Sequence, residues 1–154
     1  MLIFCYGSNG KKQLKKRLGH SIDMLPAVAI NWKRVYRGYS ELWRGGVASI
    51  IKKKGSKVYG GVIQASKKDM EELDYYEGVN HEQPENSFYT LETIEIIVLV
   101  KGIQYKKKAG VYLCTATDHN RPSKKYLKNC AMTVSSLWRN KDGSKITYKN
   151  FEVS

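Results

Sequence analysis

Long hydrophobic runs are missing from this sequence. The most apolar stretch, Ile94 to Val100, is interrupted by Glu95 and has the length of a strand. A membrane-spanning helix needs about 18 or more apolar residues. Proline is scarce, with 3 residues in 154 and no cluster, so no Pro-rich linker divides the chain. Cysteine is equally scarce: Cys5, Cys114 and Cys130 form an odd set without a CxxC. They read as three reduced, mostly buried thiols in a reducing cytoplasm, not as a disulfide framework. The histidines His20, His81 and His119 are far apart. His81-Glu82 opens like a zinc-protease motif, but the second histidine is lacking and Pro84 would break the required helix. No GxGxxG occurs. Gly7-Ser8-Asn9-Gly10-Lys11 places two residues between its glycines where a P-loop has four, and Lys12 follows where Ser or Thr should stand. The opening MLIFCYGSNG has no basic residue ahead of its apolar stretch and runs straight into glycine, so it reads as a first strand rather than a signal peptide.

Acid is also in deficit. Fourteen Asp and Glu stand against 27 Lys and Arg, a net charge of +13. Such a charge raises the question of a polyanionic partner. Of the basic residues 21 are lysine and 6 arginine, in runs such as Lys52-Lys53-Lys54 and Lys106-Lys107-Lys108. Base-reading surfaces lean on arginine for bidentate contacts, and lysine commonly guards strand edges. With no nucleic-acid motif beside it, a basic binding module is kept only as the non-enzymatic alternative.

What is present suits one core. Hydrophobic residues make up 42% and aromatics 11%, enough apolar surface to offset the entropy of ordering one domain over 1–154. Met1 to Cys5 reads as a buried strand. Lys11 to Leu18 reads as a short basic helix stopped at Gly19. Ala27 to Tyr36, Val47 to Lys53 and Val58 to Ala65 read as strands, and Gly60-Gly61 marks a close backbone approach or a bulge. Ser66 and Asp69 form a capping box for a helix running to about Tyr76 and stopping at Gly78. Ser87 to Val100 and Gln104 to Thr117 read as an antiparallel pair turning around Gly102. Pro122 suits the first turn of a last helix, in which Leu127, Cys130, Ala131, Val134, Leu137 and Trp138 recur at helical spacing. Beyond Asn140 the polar tail is a docked strand or a loose end. The order is α+β, with no regular βαβ alternation.

Four segments carry chemistry-bearing residues. Tyr6-Gly7-Ser8-Asn9 ends a strand, where a sharp turn either presents backbone N–H groups to an anion or places Ser8 or Asn9 as a helix cap. In Leu73-Asp74-Tyr75-Tyr76-Glu77-Gly78-Val79, Asp74 and Glu77 share the helical stripe that Met70 and Leu73 turn inward. An inward carboxylate is costly to ionise, which prepares a glutamate for proton transfer near neutral pH. The alternative is that Glu77 bends to solvent from a fraying turn. Asp74 fits a structural acceptor for backbone N–H groups of a nearby loop. Ser123 and Tyr126 lie one turn apart at a helix start, facing either a pocket or the core. Gly45-Gly46 implies a sharp approach, with Trp43 or Tyr39 available to wall a cleft.

In order and spacing, these blocks resemble the γ-glutamylcyclotransferase family. They are Phe4-Cys5-Tyr6-Gly7-Ser8-Asn9, Trp43 to Ile50, Val58-Tyr59-Gly60 continuing to Leu73 through Val79, and Tyr112 to Thr115 continuing to Pro122 through Tyr126. The resemblance spans about residues 1–138 and leaves 139–154 as a polar tail. It implies an α+β fold, a small mixed β-barrel flanked by helices, and a reaction that needs neither metal nor cofactor: cyclisation of a γ-glutamyl amino acid to 5-oxoproline with release of the amino acid. It implies Glu77 as general acid and base. It implies substrate binding by the backbone and side chains of Ile3, Phe4, Cys5, Tyr6, Gly7 and Ser8, and by Tyr126, with Ser123 a weaker claimant. The expected partner is a small γ-glutamyl substrate, with no membrane, no nucleic acid and room for a homodimer. Relatives acting on γ-glutamylamines, glutathione or a γ-glutamylated intermediate are the enzymatic alternative.

Overall fold

Five strands close on themselves in the order β1-β3-β2-β4-β5 in a computed structural model that describes residues 1–151. They are β1 (Leu2–Cys5), β2 (Leu25–Ser40), β3 (Gly45–Gln64), β4 (Tyr89–Val100) and β5 (Ile103–Cys114). Three helices flank them: α1 (Lys11–Leu18), α2 (Lys67–Tyr76) and α3 (Lys124–Ser135). The expected α+β architecture, a small mixed barrel with flanking helices, is therefore the one observed. All pairings are antiparallel except the closure, where β1 meets β5 in parallel at Ile3 and Gly110. No described helix is long and apolar enough to cross a membrane.

Strand β1 is short and surrounded. Ile3, Phe4 and Cys5 are all buried, so the run is apolar on both faces rather than alternating. It pairs with β3 from Leu2 and Gln64 to Cys5 and Gly61, which leaves Tyr6 to Asn9 as the turn emerging at the barrel's end. The close approach expected at Gly60-Gly61 is present: a Cβ on Gly60 would lie 2.3 Å from the Cys5 carbonyl oxygen, and one on Gly61 2.4 Å from the Met24 side chain.

The two strands read at Val47 to Lys53 and Val58 to Ala65 are halves of one 20-residue β3. Ile30 pairs with Lys57 and Trp32 with Lys52, so Asn31 alone opposes Lys53 to Ser56. Asn31 takes φ 66° there and accepts a hydrogen bond from the Gly55 N–H. This irregularity lets one strand bend around the barrel, and in the sequence it looks like a loop.

Helix α2 has the expected capping box. The Ser66 hydroxyl accepts from the Asp69 N–H at 3.1 Å, and the Asp69 carboxylate accepts from the Ser66 N–H at 3.0 Å. Leu73, 1% exposed, anchors the helix to the core, a burial worth roughly 1.5–3 kcal/mol. Helix α3 starts at the Ser123 cap, whose hydroxyl accepts from the Tyr126 N–H. Pro122 therefore lies outside the first turn, before the cap. Leu137 and Trp138, expected in the apolar stripe, lie beyond the helix's last residue, Ser135. Trp138 nevertheless docks, its indole N–H donating to the Gly60 carbonyl at 2.8 Å. The tail is neither a strand nor loose: Arg139 bridges Lys145, and a 3-10 turn at Tyr148–Phe151 packs against α3. Residues 152–154 of that tail lie outside the described residues.

Candidate active site

Glu77 is held in place by the way α2 ends. It is the residue that closes the helix, and Gly78 follows in the left-handed region at φ 67°. The Gly78 N–H donates to the Tyr75 carbonyl at 3.2 Å and the Val79 N–H to the Asp74 carbonyl at 2.9 Å. This pair of reversed bonds is a Schellman motif, which satisfies the last carbonyls and fixes the terminal turn. Glu77 therefore does not fray outward: its side chain is only 12% exposed.

Its carboxylate Oε1 accepts from Asn9 Nδ2 at 2.6 Å. Arg17, from α1, stands 3.6 Å away and donates to Asn9 Oδ1 at 2.8 Å. Burial is the main influence on Glu77 and raises its pKa above the ordinary glutamate value; Arg17 and the Asn9 hydrogen bond oppose that rise, and the Asp74 charge adds to it. Asp74 itself takes side-chain donors rather than the backbone ones expected: its Oδ1 accepts from the Tyr112 hydroxyl at 2.6 Å, and its Oδ2 lies 3.0 Å from His81 Nε2.

Glu77 stands where two cavities meet. The inner one, about 40 Å³, is lined by Ile3, Phe4, Cys5, Tyr6, Gly7, Ser8, Asn9, Ala48, Tyr89, Tyr112 and Tyr126 with Glu77. All eight residues named as site candidates from the sequence border it. The outer one, about 370 Å³, shares Ser8, Glu77, Tyr89 and Tyr126 and widens among Arg17, Tyr39, Trp43, Tyr75 and Tyr76. Both Tyr39 and Trp43 thus wall the cleft.

The turn after β1 supplies donors. Among the described residues no hydrogen bond engages the N–H of Gly7, Ser8 or Asn9. Neither Ser8 nor Asn9 caps α1; the cap is Gly10, and no side chain bonds the first turn. Arg34 of β2 donates from a terminal nitrogen to the Tyr6 carbonyl. The Tyr6–Gly7 peptide is planar and trans, so pinning that carbonyl turns the Gly7 N–H the opposite way. The Arg34 charge also polarises the same peptide and strengthens its donor. The guanidinium carbon lies over two aromatic rings, 5.7 Å from the Tyr6 ring centre and 4.7 Å from that of Phe151.

Four tyrosine hydroxyls surround the inner cavity, and three have spent their protons. Tyr6 donates to the Tyr112 carbonyl at 2.5 Å, Tyr89 to the Ala48 carbonyl at 2.9 Å and Tyr112 to Asp74. Tyr126 is different. Its oxygen accepts from the Ala48 N–H at 2.8 Å, and no hydrogen bond donated by it is found among the described residues. Tyr126 is only 3% exposed, so its proton suits a ligand oxygen. Gly45 and Gly46 make that position reachable. A Cβ on Gly46 would lie 2.1 Å from the Asn120 carbonyl oxygen and one on Gly45 2.8 Å from that of Arg121. The loop leading into α3 can therefore lie directly on β3. Ser123 is spent as the helix cap. Burial, aided by the Glu77 charge, pushes the Cys5 thiol up to about 12, which keeps it protonated and unsuited to nucleophilic attack.

Sequence reading missed Asn9 as a direct partner of Glu77, along with Arg17, Ala48, Tyr89 and Tyr112. Arg17 had a legible signal: Gln13 and Arg17 are one turn apart on α1, facing back toward the Ser8–Asn9 turn. With its amide oxygen facing Arg17, Gln13 accepts from that guanidinium at 2.7 Å. The tyrosines come from distant strands and carried no local signal.

A family model described as γ-glutamyl cyclotransferase, AIG2-like, matches residues 3–130. Among solved structures, one described as a γ-glutamyl cyclotransferase superposes with a TM-score of 0.72 at 23% identity, over 97% of this chain and 96% of that one. A human protein described as uncharacterised gives 0.70 at 23% identity over the same shares. A yeast protein described as a γ-glutamyl cyclotransferase specific to glutathione gives 0.51 at 14% identity, over 94% of this chain and 83% of that one. At these identities the likeness is one of fold. No curated protein matches the sequence.

Proposed function

Because the chain belongs to the γ-glutamyl cyclotransferase, AIG2-like family, we propose that it cyclises a γ-glutamyl amino acid to 5-oxoproline and releases the amino acid, with Glu77 as general base and then general acid. The observation that carries this reading is the position of Glu77: a largely buried carboxylate between a donor-lined pit and a wider vestibule. The glutamyl end of the substrate occupies the pit and the leaving amino acid the vestibule.

The reaction is intramolecular, so the enzyme's first task is to fold the glutamyl chain until its α-nitrogen faces its own γ-carbonyl. The α-ammonium gives a proton to Glu77, whose raised pKa suits it to receive one near neutral pH. The freed amine attacks the γ-carbon and forms the new C–N bond of the lactam. Negative charge collects on the former carbonyl oxygen, and the free N–H groups of Gly7 and Ser8 are the donors suited to it. Tyr126 donates to an oxygen of the glutamyl end. The tetrahedral centre collapses, the bond to the leaving nitrogen breaks, and Glu77 returns its proton to that nitrogen; the second proton of the ring nitrogen then passes through the same carboxylate to the released amine, which leaves a neutral lactam N–H and an amino acid ammonium.

The test is 5-oxoproline release from γ-Glu-Ala. Glu77→Gln should keep the fold, judged by circular dichroism, and lose turnover by about 10²–10⁴, the range typical of an acid–base residue. Near-normal turnover by the variant would remove Glu77 from the reaction.

A further inference from the structure

We infer that Arg17 reads a carboxylate on the leaving part of the substrate, so that the enzyme takes γ-glutamyl amino acids and discriminates against γ-glutamylamines lacking that group. The inference rests on the cyclotransferase reading and gives it a substrate class.

Arg17 is the one basic side chain on the vestibule wall, and it is built in rather than waving: its side chain is 15% exposed. Asn9 and, with its amide oxygen facing Arg17, Gln13 hold the guanidinium, and the Tyr76 ring centre lies 5.0 Å from it. These contacts use three of its five N–H donors. The remaining two are spare, since Glu77 at 3.6 Å is too far for a hydrogen bond. A preorganised cation with unused donors, beside the point where the leaving nitrogen departs, is a receptor for a carboxylate one or two bonds from that nitrogen. An α-carboxylate sits there in every amino acid and is absent from a simple amine. Among the described residues the only carboxylate on the same wall is Glu77, which would repel an anionic leaving group if Arg17 did not stand beside it. Tyr39, Trp43 and Tyr75 present aromatic surface on the same vestibule wall. A large side chain on the leaving amino acid therefore has somewhere to pack.

The experiment compares two substrates differing only in the carboxylate: γ-glutamyl-phenylalanine and γ-glutamyl-phenethylamine. The wild-type protein should turn over the first with a kcat/KM about tenfold or more above the second. Arg17→Gln should bring the ratio close to one, and Arg17→Lys should keep part of it. Any effect of losing Arg17 on Glu77 acts on both compounds and cancels in the ratio. A wild-type ratio near one, or a ratio untouched in Arg17→Gln, would overturn the role of Arg17. Failure of both compounds to yield 5-oxoproline would instead overturn the cyclotransferase reading, and the specificity with it.

Discussion

At the scale of single residues, the chemistry turns on how Glu77 is charged. Desolvation raises its pKa, and the Asn9 amide works in the other direction by donating to the ionised form. The base must be ionised to accept a proton, so kcat/KM should fall as pH drops through the free-enzyme pKa of Glu77. That acid limb should lie above the ordinary glutamate range. Asn9→Ala removes a bond that favours the carboxylate, and the limb should move to higher pH; a pH profile of 5-oxoproline release reads this directly. Tyr126→Phe deletes the one tyrosine hydroxyl proton around the pit that no hydrogen bond among the described residues uses. Its KM for γ-glutamyl substrates should rise by roughly tenfold, the worth of one hydrogen bond to a charged group. Unchanged kinetics would take Tyr126 out of the binding set. Glu77 and the Tyr6–Asn9 turn stood out as an inward acid and a strand-ending glycine turn, each with a structural alternative, and the resemblance of the four blocks taken together is what pointed to a site. The clamp formed by Asn9 and Arg17 was not, because it depends on how α1 lies against the end of α2.

At the scale of elements, local signals were reliable where a cap or stop set the boundary. Helix α1 begins at Lys11 and stops at Gly19 as read, and the Ser66–Asp69 box opens α2. They failed where tertiary contacts decide, as at Asn31, where the bend makes one strand look like two. The end of α2 ties structure to activity most directly. A Cβ at Gly78 would be forced to a left-handed φ and would lie 3.1 Å from the Phe88 Cβ. Gly78→Ala should therefore cost about 1–2 kcal/mol of stability from the backbone strain alone. Turnover should also fall, because the Schellman bonds that aim Glu77 would be disturbed. Denaturant melts and steady-state rates on the same sample separate the two effects; a variant with unaltered stability and rate would show that the turn tolerates a side chain.

At the scale of the whole molecule, the net charge of +13 is carried outside. Lys52–Lys54 and Lys106–Lys108 are all exposed, far along the chain from the turn and helix end that meet at Glu77. Their collective field still reaches an approaching anion. Raising salt from about 0.01 M to about 0.15 M shortens the screening length from about 30 Å to about 8 Å. Over that range kcat/KM for an anionic γ-glutamyl amino acid should fall while kcat holds. A flat response would confine the charge to a solubilising role. The closure of the sheet by β1 has a further consequence, in the order of folding. The donor turn hangs from four residues whose partners, Gly61 to Gln64 on one side and Gly110 on the other, lie far along the chain. Contacts of such long range form late, after the costly loop closures they require. A partly folded chain with its helices in place therefore still lacks a catalytic centre, and returning activity during refolding is a clock for the moment the barrel shuts.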